Sequence, residues 1–268
     1  MAWTFAAFTP HPPVIDPQVG RGREREAATT LHGMDMLRQH ISAIMKERGV
    51  PDVLLVLSPH HPYASGTLFC NNAPAMHGSL APFGAPGAAL NLQTPPAHLA
   101  ALLQHLQGAG IPLSTGKMED ITRDHGTLVP LLQLAPCFPS GTLPPVILAG
   151  PVGLSYPQAL QLGQALVTLQ GPSNWGLIAS GDLSHALTPN APSGFSPCGK
   201  TLDDAMVQAL KTGDPKPLLH LPEQTVQQAG ECGLRSALAM LGLIGGPAKV
   251  LSYEGPFGVG YATAVWPV

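Results

Sequence analysis

Two short apolar runs limit what this chain can fold into. They are DVLLVL, residues 52–57, and PPVILAG, residues 144–150, and neither alternates between polar and apolar side chains. A strand that is apolar on both faces is typical of a parallel sheet that helices cover on either side. We therefore expect both runs to form buried strands of such a sheet.

The rest of the chain alternates between strand patterns and helix patterns. Further strands are predicted at residues 3–8, 174–181, 248–255 and 260–268, and helices at residues 24–48, 97–110, just after His125, 157–169, 200–211 and 232–243. The Gly/Pro-rich stretch 71–96 is predicted to be a loop. This order predicts a three-layer α/β/α fold with a mostly parallel or mixed central sheet, in a single domain of residues 1–268.

The composition narrows the possible classes of function. Charged residues make up 11% of the chain and the formal net charge is −3, so the basic face that nucleic-acid binding requires is not expected. The chain shows no apolar stretch of about 18 residues and no signal-peptide pattern, so no membrane association is expected. Four scattered cysteines without a CxxC pair fit reduced thiols in a cytoplasmic protein. The low charge also favours a homo-oligomer, with a dimer as the expected form.

Histidines follow three of the predicted strands. His11 comes after the first strand, His60 and His61 come after DVLLVL, and His185 comes after the strand at 174–181. A fifth histidine, His125, stands at the start of a predicted helix. In open α/β sheets, ligands bind outside the carboxyl ends of the strands. The three strand ends therefore indicate one shared site.

A pair of histidines with one carboxylate is the ligand set of many non-haem Fe(II) oxygenases. The sequence offers five acidic residues for the third position: Asp16, Asp124, Asp182, Glu231 and Glu254. Glu231 opens the predicted apolar helix, where a carboxylate is also favoured by the helix N-terminus. Spacing alone does not choose between a metal ligand and a helix-start acid. It also leaves open which of the adjacent histidines, His60 or His61, faces a metal, because neighbouring residues of an extended segment point to opposite sides.

Other catalytic motifs are absent from the sequence. There is no HExxH, no phosphate-binding P-loop and no GxSxG nucleophile turn. Cys232, next to Glu231, is either a soft metal ligand or a small buried thiol.

Five segments in the same order resemble the class III extradiol ring-cleavage dioxygenase family: TPHPPVIDPQVG, LSPHHPY, DHGTLVPL, SGDLSHALTP and GECGLRSALAMLG. The resemblance is to the branch of catalytic B subunits related to protocatechuate 4,5-dioxygenase and, more distantly, to Memo proteins. It extends from His11 to about Gly242.

The resemblance implies a set of roles. It implies that His11, His60 and Glu231 hold Fe(II), and that the substrates are a small aromatic diol and O2. It further implies that His185 is the catalytic acid and base and that His125 contacts the substrate. We expect His61 and Asp182 to line the substrate pocket.

Two alternatives keep the same site. A Memo-like protein would bind metal or regulate redox chemistry without dioxygenase turnover, and relatives of that kind place a cysteine near the carboxylate position, which corresponds to Cys232. A zinc hydrolase would use His11, His60 and Glu231 to hold Zn²⁺ or another divalent metal in place of Fe(II).

Overall fold

Residues 2–267 are described by a computed structural model. The strands β1 to β10 follow one another along these residues as Ala2–Thr9, Val53–Leu57, Leu68–Asn71, Ala75–Leu80, Ala85–Gln93, Leu113–Gly116, Val146–Gly150, Asn174–Ser180, Lys249–Glu254 and Tyr261–Trp266. The helices α1 to α9 are Pro17–Gly20, Ala28–Arg48, Pro96–Gly108, His125–Leu134, Tyr156–Val167, Pro197–Thr212, Lys216–Leu219, Glu223–Ala229 and Leu234–Ile244. Within this part of the chain no helix combines the length and the apolar character needed to cross a membrane.

Eight of the strands form one mixed sheet in the order β6-β3-β7-β2-β8-β1-β10-β9. The four central strands, β7, β2, β8 and β1, are parallel to one another. At one side β3 runs antiparallel to β7, and at the other β10 runs antiparallel to β1 and β9 runs antiparallel to β10. The predicted α/β fold with a mixed central sheet is confirmed.

The strand β2 divides its side chains between two apolar layers. Leu55 and Leu57 pack on the side of the sheet that carries α3, α5, α6 and α9, whereas Leu54 and Val56 pack on the side that carries α2 and α4. All five residues of β2 are buried. The expectation that DVLLVL is a strand with two buried faces is therefore confirmed, and it explains why the run contains no polar alternation.

The predicted loop at 71–96 is wrong. This stretch contains β4 and β5, which pair in an antiparallel hairpin outside the main sheet. Gly84 adopts a left-handed conformation with φ of 80° and closes the tip of the hairpin, a conformation that glycine adopts without strain. The glycines and prolines concealed the alternating burial of β4, in which Met76, Gly78 and Leu80 face the protein.

Two short strands were not predicted, and two helices begin later than expected. The four-residue strands β3 and β6 carry too few residues to give a period. The helix predicted from residue 24 begins at Ala28, after a 3-10 turn at Arg23–Ala27. The helix predicted from residue 232 begins at Leu234, so both Glu231 and Cys232 precede it.

Helices α5 and α9 approach each other closely because glycine stands at the contact. A Cβ atom on Gly163 would lie 2.0 Å from the carbonyl oxygen of Ala239 and 2.7 Å from the amide nitrogen of Leu243. Both neighbours are backbone atoms, so they can yield only if the helices move apart. We expect the substitution Gly163→Ala to lower the free energy of unfolding by about 1–3 kcal/mol through overpacking, as measured by urea denaturation.

The control for this prediction is Gly108→Ala at the end of α3, where an added Cβ would meet nothing within 4 Å. Alanine is the better helix former, so this control is expected to be neutral or to stabilise the protein by up to about 1 kcal/mol. Equal effects of the two substitutions would contradict the packing argument.

Candidate metal centre

The carboxyl ends of β1, β2 and β8 lie side by side at one edge of the sheet. Thr9 at the end of β1 is in register with Ser180 at the end of β8, and Leu57 at the end of β2 is in register with Ala179. Each of these strands is followed within a few residues by a predicted site histidine, so the parallel pairing brings His11, His60 and His185 to the same edge, as the sequence indicates.

Three imidazoles converge at this edge. The Nε2 atoms of His11 and His60 lie 3.1 Å apart. The ring of His125 is centred 4.0 Å from that of His60 and 5.3 Å from that of His11. One ligand nitrogen from each of the three lies within 4.8 Å of the others. We call these three residues the histidine group; His125, which was expected to contact substrate, is a member of it.

Hydrogen bonds fix the position of His11. Its Nδ1 lies 2.9 Å from Ser180 Oγ, and its backbone amide donates to Asp182 Oδ1 at 2.8 Å. The other carboxylate oxygen of Asp182 lies 3.7 Å from His11 Nε2. A histidine that binds metal through Nε2 is usually oriented by a hydrogen bond at Nδ1, and the contact with Ser180 provides that arrangement.

The environment keeps the histidine group uncharged. Burial, followed by the positive charge that His125 can carry, lowers the pKa of His11 to about 3. Burial, followed by the charges of His11 and His125, lowers the pKa of His60 to about 3. The pKa of His125 is also lowered, mainly by burial, although Asp182 and Asp124 act in the opposite direction. At neutral pH these imidazoles therefore hold lone pairs, the form that binds metal.

His185 lies beside the histidine group on the loop after β8. Its Nδ1 is 3.1 Å from the carbonyl oxygen of Leu183. Because a carbonyl oxygen only accepts hydrogen bonds, Nδ1 carries the hydrogen atom and Nε2 of the neutral ring carries the lone pair. Its backbone is held at both sides, since His185 N donates to Ala229 O at 2.8 Å and Ser193 N donates to His185 O at 2.9 Å.

The two candidates for a third ligand occupy different surroundings. Glu231 Oε2 accepts a hydrogen bond of 2.6 Å from the amide of Leu234, the first residue of α9, and Glu231 is not part of the histidine group. Cys232 Sγ lies 3.6 Å from His11 Nε2 and 3.3 Å from the amide nitrogen of Asp182. Burial, followed by the charge of Asp182, raises the pKa of the Cys232 thiol.

Residues 5–264 match the family model described as the catalytic LigB subunit of aromatic ring-opening dioxygenase. The chain belongs to this family. Within this chain the histidine group is a cluster that could hold a metal ion. The resemblance read from the five sequence segments is confirmed.

The chain is similar to two further proteins, one in sequence and one in fold. It is 29% identical over 264 residues to the protein CA_C1420 of Clostridium acetobutylicum, an alignment that covers 94% of this chain and 55% of that protein. The chain thus spans about half the length of the curated relative it matches. The crystal structure of the uncharacterized protein JW3007 from Escherichia coli K12 superposes with a TM-score of 0.64 at 16% identity, covering 97% of this chain and 98% of the other. This likeness concerns the fold.

His61 occupies a different place from its neighbour His60. Its side chain is fully buried, and its Nε2 lies 3.5 Å from Asp124 Oδ2. Its ring packs near Phe69, with the ring centres 5.9 Å apart, and burial lowers its pKa. The two adjacent histidines thus have different surroundings, although they lie in the turn and bend after β2 and not in an extended strand. The role of His61 as a pocket residue stays a prediction.

A hydrogen bond joins the two loops that carry His60 and His125. Ser58 Oγ donates to Asp124 Oδ1 at 2.6 Å, and the same carboxylate oxygen accepts from the amide of Thr127 at 3.0 Å and so caps α4. Burial would raise the pKa of Asp124, but the neighbouring His61 and these hydrogen bonds outweigh it and lower the pKa. Ser58 and Asp124 are both buried, so this link holds the end of β2 against the start of α4.

The sequence gives no sign that two aromatic residues, Phe83 and Tyr261, lie near the site. The ring of Phe83, at the tip of the β4–β5 hairpin, is centred 5.4 Å from that of His125. Tyr261 is buried at the start of β10, and burial, followed by the charges of Asp182 and Cys232, raises the pKa of its hydroxyl. Each reaches the site from a distant part of the chain, which spacing between nearby motifs cannot reveal.

Gly126 is required where the two loops meet. A Cβ atom on Gly126 would lie 2.5 Å from Ser58 Oγ and 2.8 Å from Cδ2 of His60. We expect Gly126→Ala to displace both side chains, to lower the free energy of unfolding by about 1–3 kcal/mol and to weaken Co²⁺ binding about 10-fold or more. Chemical denaturation and a Co²⁺ titration followed by absorbance measure the two effects.

Gly246→Ala is the matched control, since a Cβ atom there would meet nothing within 4 Å. Unchanged Co²⁺ affinity in a folded Gly126→Ala protein would contradict the proposed contact with His60.

The uncharged imidazoles predict that acid destabilises the metal-free protein. Their pKa is 6.5 in the unfolded chain and lies near 3 in the folded protein for His11 and His60, so between these values the unfolded chain binds more protons. Each such imidazole then removes about 1.4 kcal/mol of stability per pH unit. The same direction applies to His61 and His125.

Buried carboxyls offset part of this effect. Burial raises the pKa of Asp182 and Asp203 to about 6. On acidification these carboxyls are protonated in the folded protein before they are protonated in the unfolded chain, which favours the folded state. The four imidazoles with a lowered pKa outnumber these two carboxyls. We therefore expect the free energy of unfolding to fall from pH 7 to pH 5 in urea titrations. The substitution His60→Gln should make this dependence shallower, whereas His220→Gln, at an exposed position, should leave it unchanged. A stability that rises on acidification would refute the prediction.

Proposed function

We propose that this chain is a non-haem Fe(II)-dependent dioxygenase that opens the ring of a small catechol-type diol in the extradiol position, using O2. The supporting observation is the convergence of His11, His60 and His125 at the carboxyl edge of the sheet in a chain of a ring-opening dioxygenase family. A cytoplasmic location and a homodimer belong to the same proposal.

The donor set fits a divalent metal. His11 and His60 present nitrogen atoms 3.1 Å apart in a setting that keeps both rings uncharged, and imidazole suits Fe(II) and Zn²⁺ alike. In this proposal His11, His60 and Glu231 hold Fe(II). Bound Fe(II) would supply the one-electron chemistry that O2 requires and the Lewis acidity that favours an ionised diol.

The remaining histidines handle the substrate and its protons. The lone pair on Nε2 of His185 can take the proton of a diol hydroxyl and return it later, because its Nδ1 is committed to the carbonyl of Leu183. His125 can donate one N–H to an oxygen of the bound diol, since its neutral ring has one donor and one acceptor. The buried residues Asp182 and Ser180 keep His11 in position while this happens.

A second candidate is favoured by the position of Cys232. Its sulfur lies 3.6 Å from His11 Nε2, close enough for both atoms to bind the same metal ion. A site of His11, His60 and Cys232 would suit a softer metal and would correspond to a Memo-like metal-binding or redox-regulatory protein without ring cleavage.

The test begins with protein purified without oxygen. Metal analysis separates an iron protein from the zinc hydrolase, and O2 uptake with catechol, 4-methylcatechol and protocatechuate, with and without Fe(II), measures turnover. We expect Fe(II)-dependent O2 uptake with at least one diol. His185→Gln should retain iron and lose about 100-fold or more in kcat, whereas His220→Gln should behave as the unaltered protein. Full turnover by His185→Gln would refute its role as acid and base.

The third ligand separates the two candidate functions. The extradiol proposal expects Glu231→Gln to lose iron and O2 uptake while Cys232→Ser retains both. The Memo-like alternative expects Cys232→Ser to lose metal while Glu231→Gln retains it, with no O2 uptake in either protein. A helix-start role alone predicts that Glu231→Gln changes stability but not metal content.

A further inference from the structure

One exposed aromatic side chain contacts a site histidine, and two others lie near site histidines along the chain. In the part of the chain that the structure describes, the large aromatic residues with exposed side chains are Tyr63, Phe83 and Phe195, at 69%, 39% and 64% exposure. Tyr63 follows His60 and His61 along the chain, Phe83 contacts His125, and Phe195 lies just after Ser193, which donates to the carbonyl of His185. Single exposed apolar residues are common, so the observation that points to a binding surface is the contact of Phe83 with His125.

Phe83 is the member of this set that touches the histidine group. Its ring meets that of His125 at a centre distance of 5.4 Å and an angle of 70°, which is an edge-to-face contact. The contact covers only part of the ring, because 39% of the residue stays exposed. A flat ligand bound at the histidine group could therefore cover apolar surface that Phe83 otherwise exposes to water.

The hairpin tip that carries Phe83 is anchored to the segment that follows His11. Arg21 donates to the carbonyl of Gly84 at 3.0 Å and to that of Gln18 at 3.3 Å. Leu80 and Ala85, at the two ends of the tip, are buried. The hairpin tip that carries Phe83 is thus held by the residue that ends α1, in the segment that follows His11.

We propose that Phe83 is a specificity-determining residue that packs against the aromatic ring of the substrate. This inference rests on the proposed function, since the diol oxygens would be held at the histidine group while the ring extends toward the hairpin tip. Aromatic side chains pair favourably beyond the area they bury. Phe83 then favours ring-bearing diols over small metal-binding ligands that have no ring.

The test compares two probes on anaerobic, Fe(II)-loaded protein. 4-Nitrocatechol has a ring and two adjacent hydroxyls, and acetohydroxamic acid binds metal without a ring; absorbance and calorimetry give the Kd of each. We expect Phe83→Ala to weaken 4-nitrocatechol binding about 3- to 10-fold and to leave acetohydroxamic acid binding unchanged. Phe83→Tyr should retain the affinity for 4-nitrocatechol and Phe83→Leu should fall between the two.

Val167→Ala is the control for loss of an exposed apolar side chain. Val167 is 50% exposed. It lies near the start of β1, because the carbonyl of the preceding residue, Leu166, accepts a hydrogen bond from Trp3. His11 follows the opposite end of β1. Circular dichroism and thermal melting verify that each variant is folded.

Each outcome decides between the inference and the function beneath it. If the unaltered protein binds acetohydroxamic acid but not 4-nitrocatechol, or binds neither, the proposed function fails and the role of Phe83 with it. If it binds both and Phe83→Ala leaves both Kd values unchanged, only the role of Phe83 fails. The role also fails if both affinities weaken equally, or if sedimentation shows that Phe83→Ala changes the oligomeric state and not 4-nitrocatechol binding, which would assign Phe83 to an interface with a second copy.

Discussion

The site depends on the parallel pairing of β8 with its two neighbours, β1 and β2. This pairing places the ends of three strands at one level, so that residues separated by 171 positions, His11 and Asp182, form a hydrogen bond. The three strands are mostly apolar, and histidines follow their carboxyl ends. The apolar layers on either face hold the strands in register, and the register positions the imidazoles.

The cost of this arrangement lies in the imidazoles themselves. Histidines pressed together in a buried edge lose the favourable hydration of their charged form, and each disfavours protonation of the next. Below the pKa of free histidine, such a cluster makes the metal-free folded protein less stable. A metal ion that binds the neutral rings would return stability to the folded state by mass action. Ser180 already contacts the ring of His11, and the hydrogen bond between Ser58 and Asp124 holds together the loops that carry His60 and His125.

The sequence predicted the central part of the fold and the edge of the site, and it failed where information is non-local. DVLLVL was identifiable because a strand buried on both faces leaves a run without polar residues, and the histidines that follow such runs could be assigned to one edge. β3 and β6 are too short to show a period, and the glycines and prolines of the 71–96 stretch concealed the hairpin, in which β4 alternates in burial. That failure also concealed Phe83, whose place beside His125 is set by the hairpin and by Arg21.

β1 pairs with two strands that come much later in the chain, so it cannot join the sheet as soon as it is synthesised. β1 is made before both of its partners, β8 and β10, which begin at Asn174 and Tyr261. During synthesis His11 therefore leaves the ribosome on a strand that has neither neighbour, and contacts of such long sequence separation form late. The histidine group can therefore assemble only after β8 has emerged, and a metal ion held by it would bind a chain in which β1, β2 and β8 are already paired.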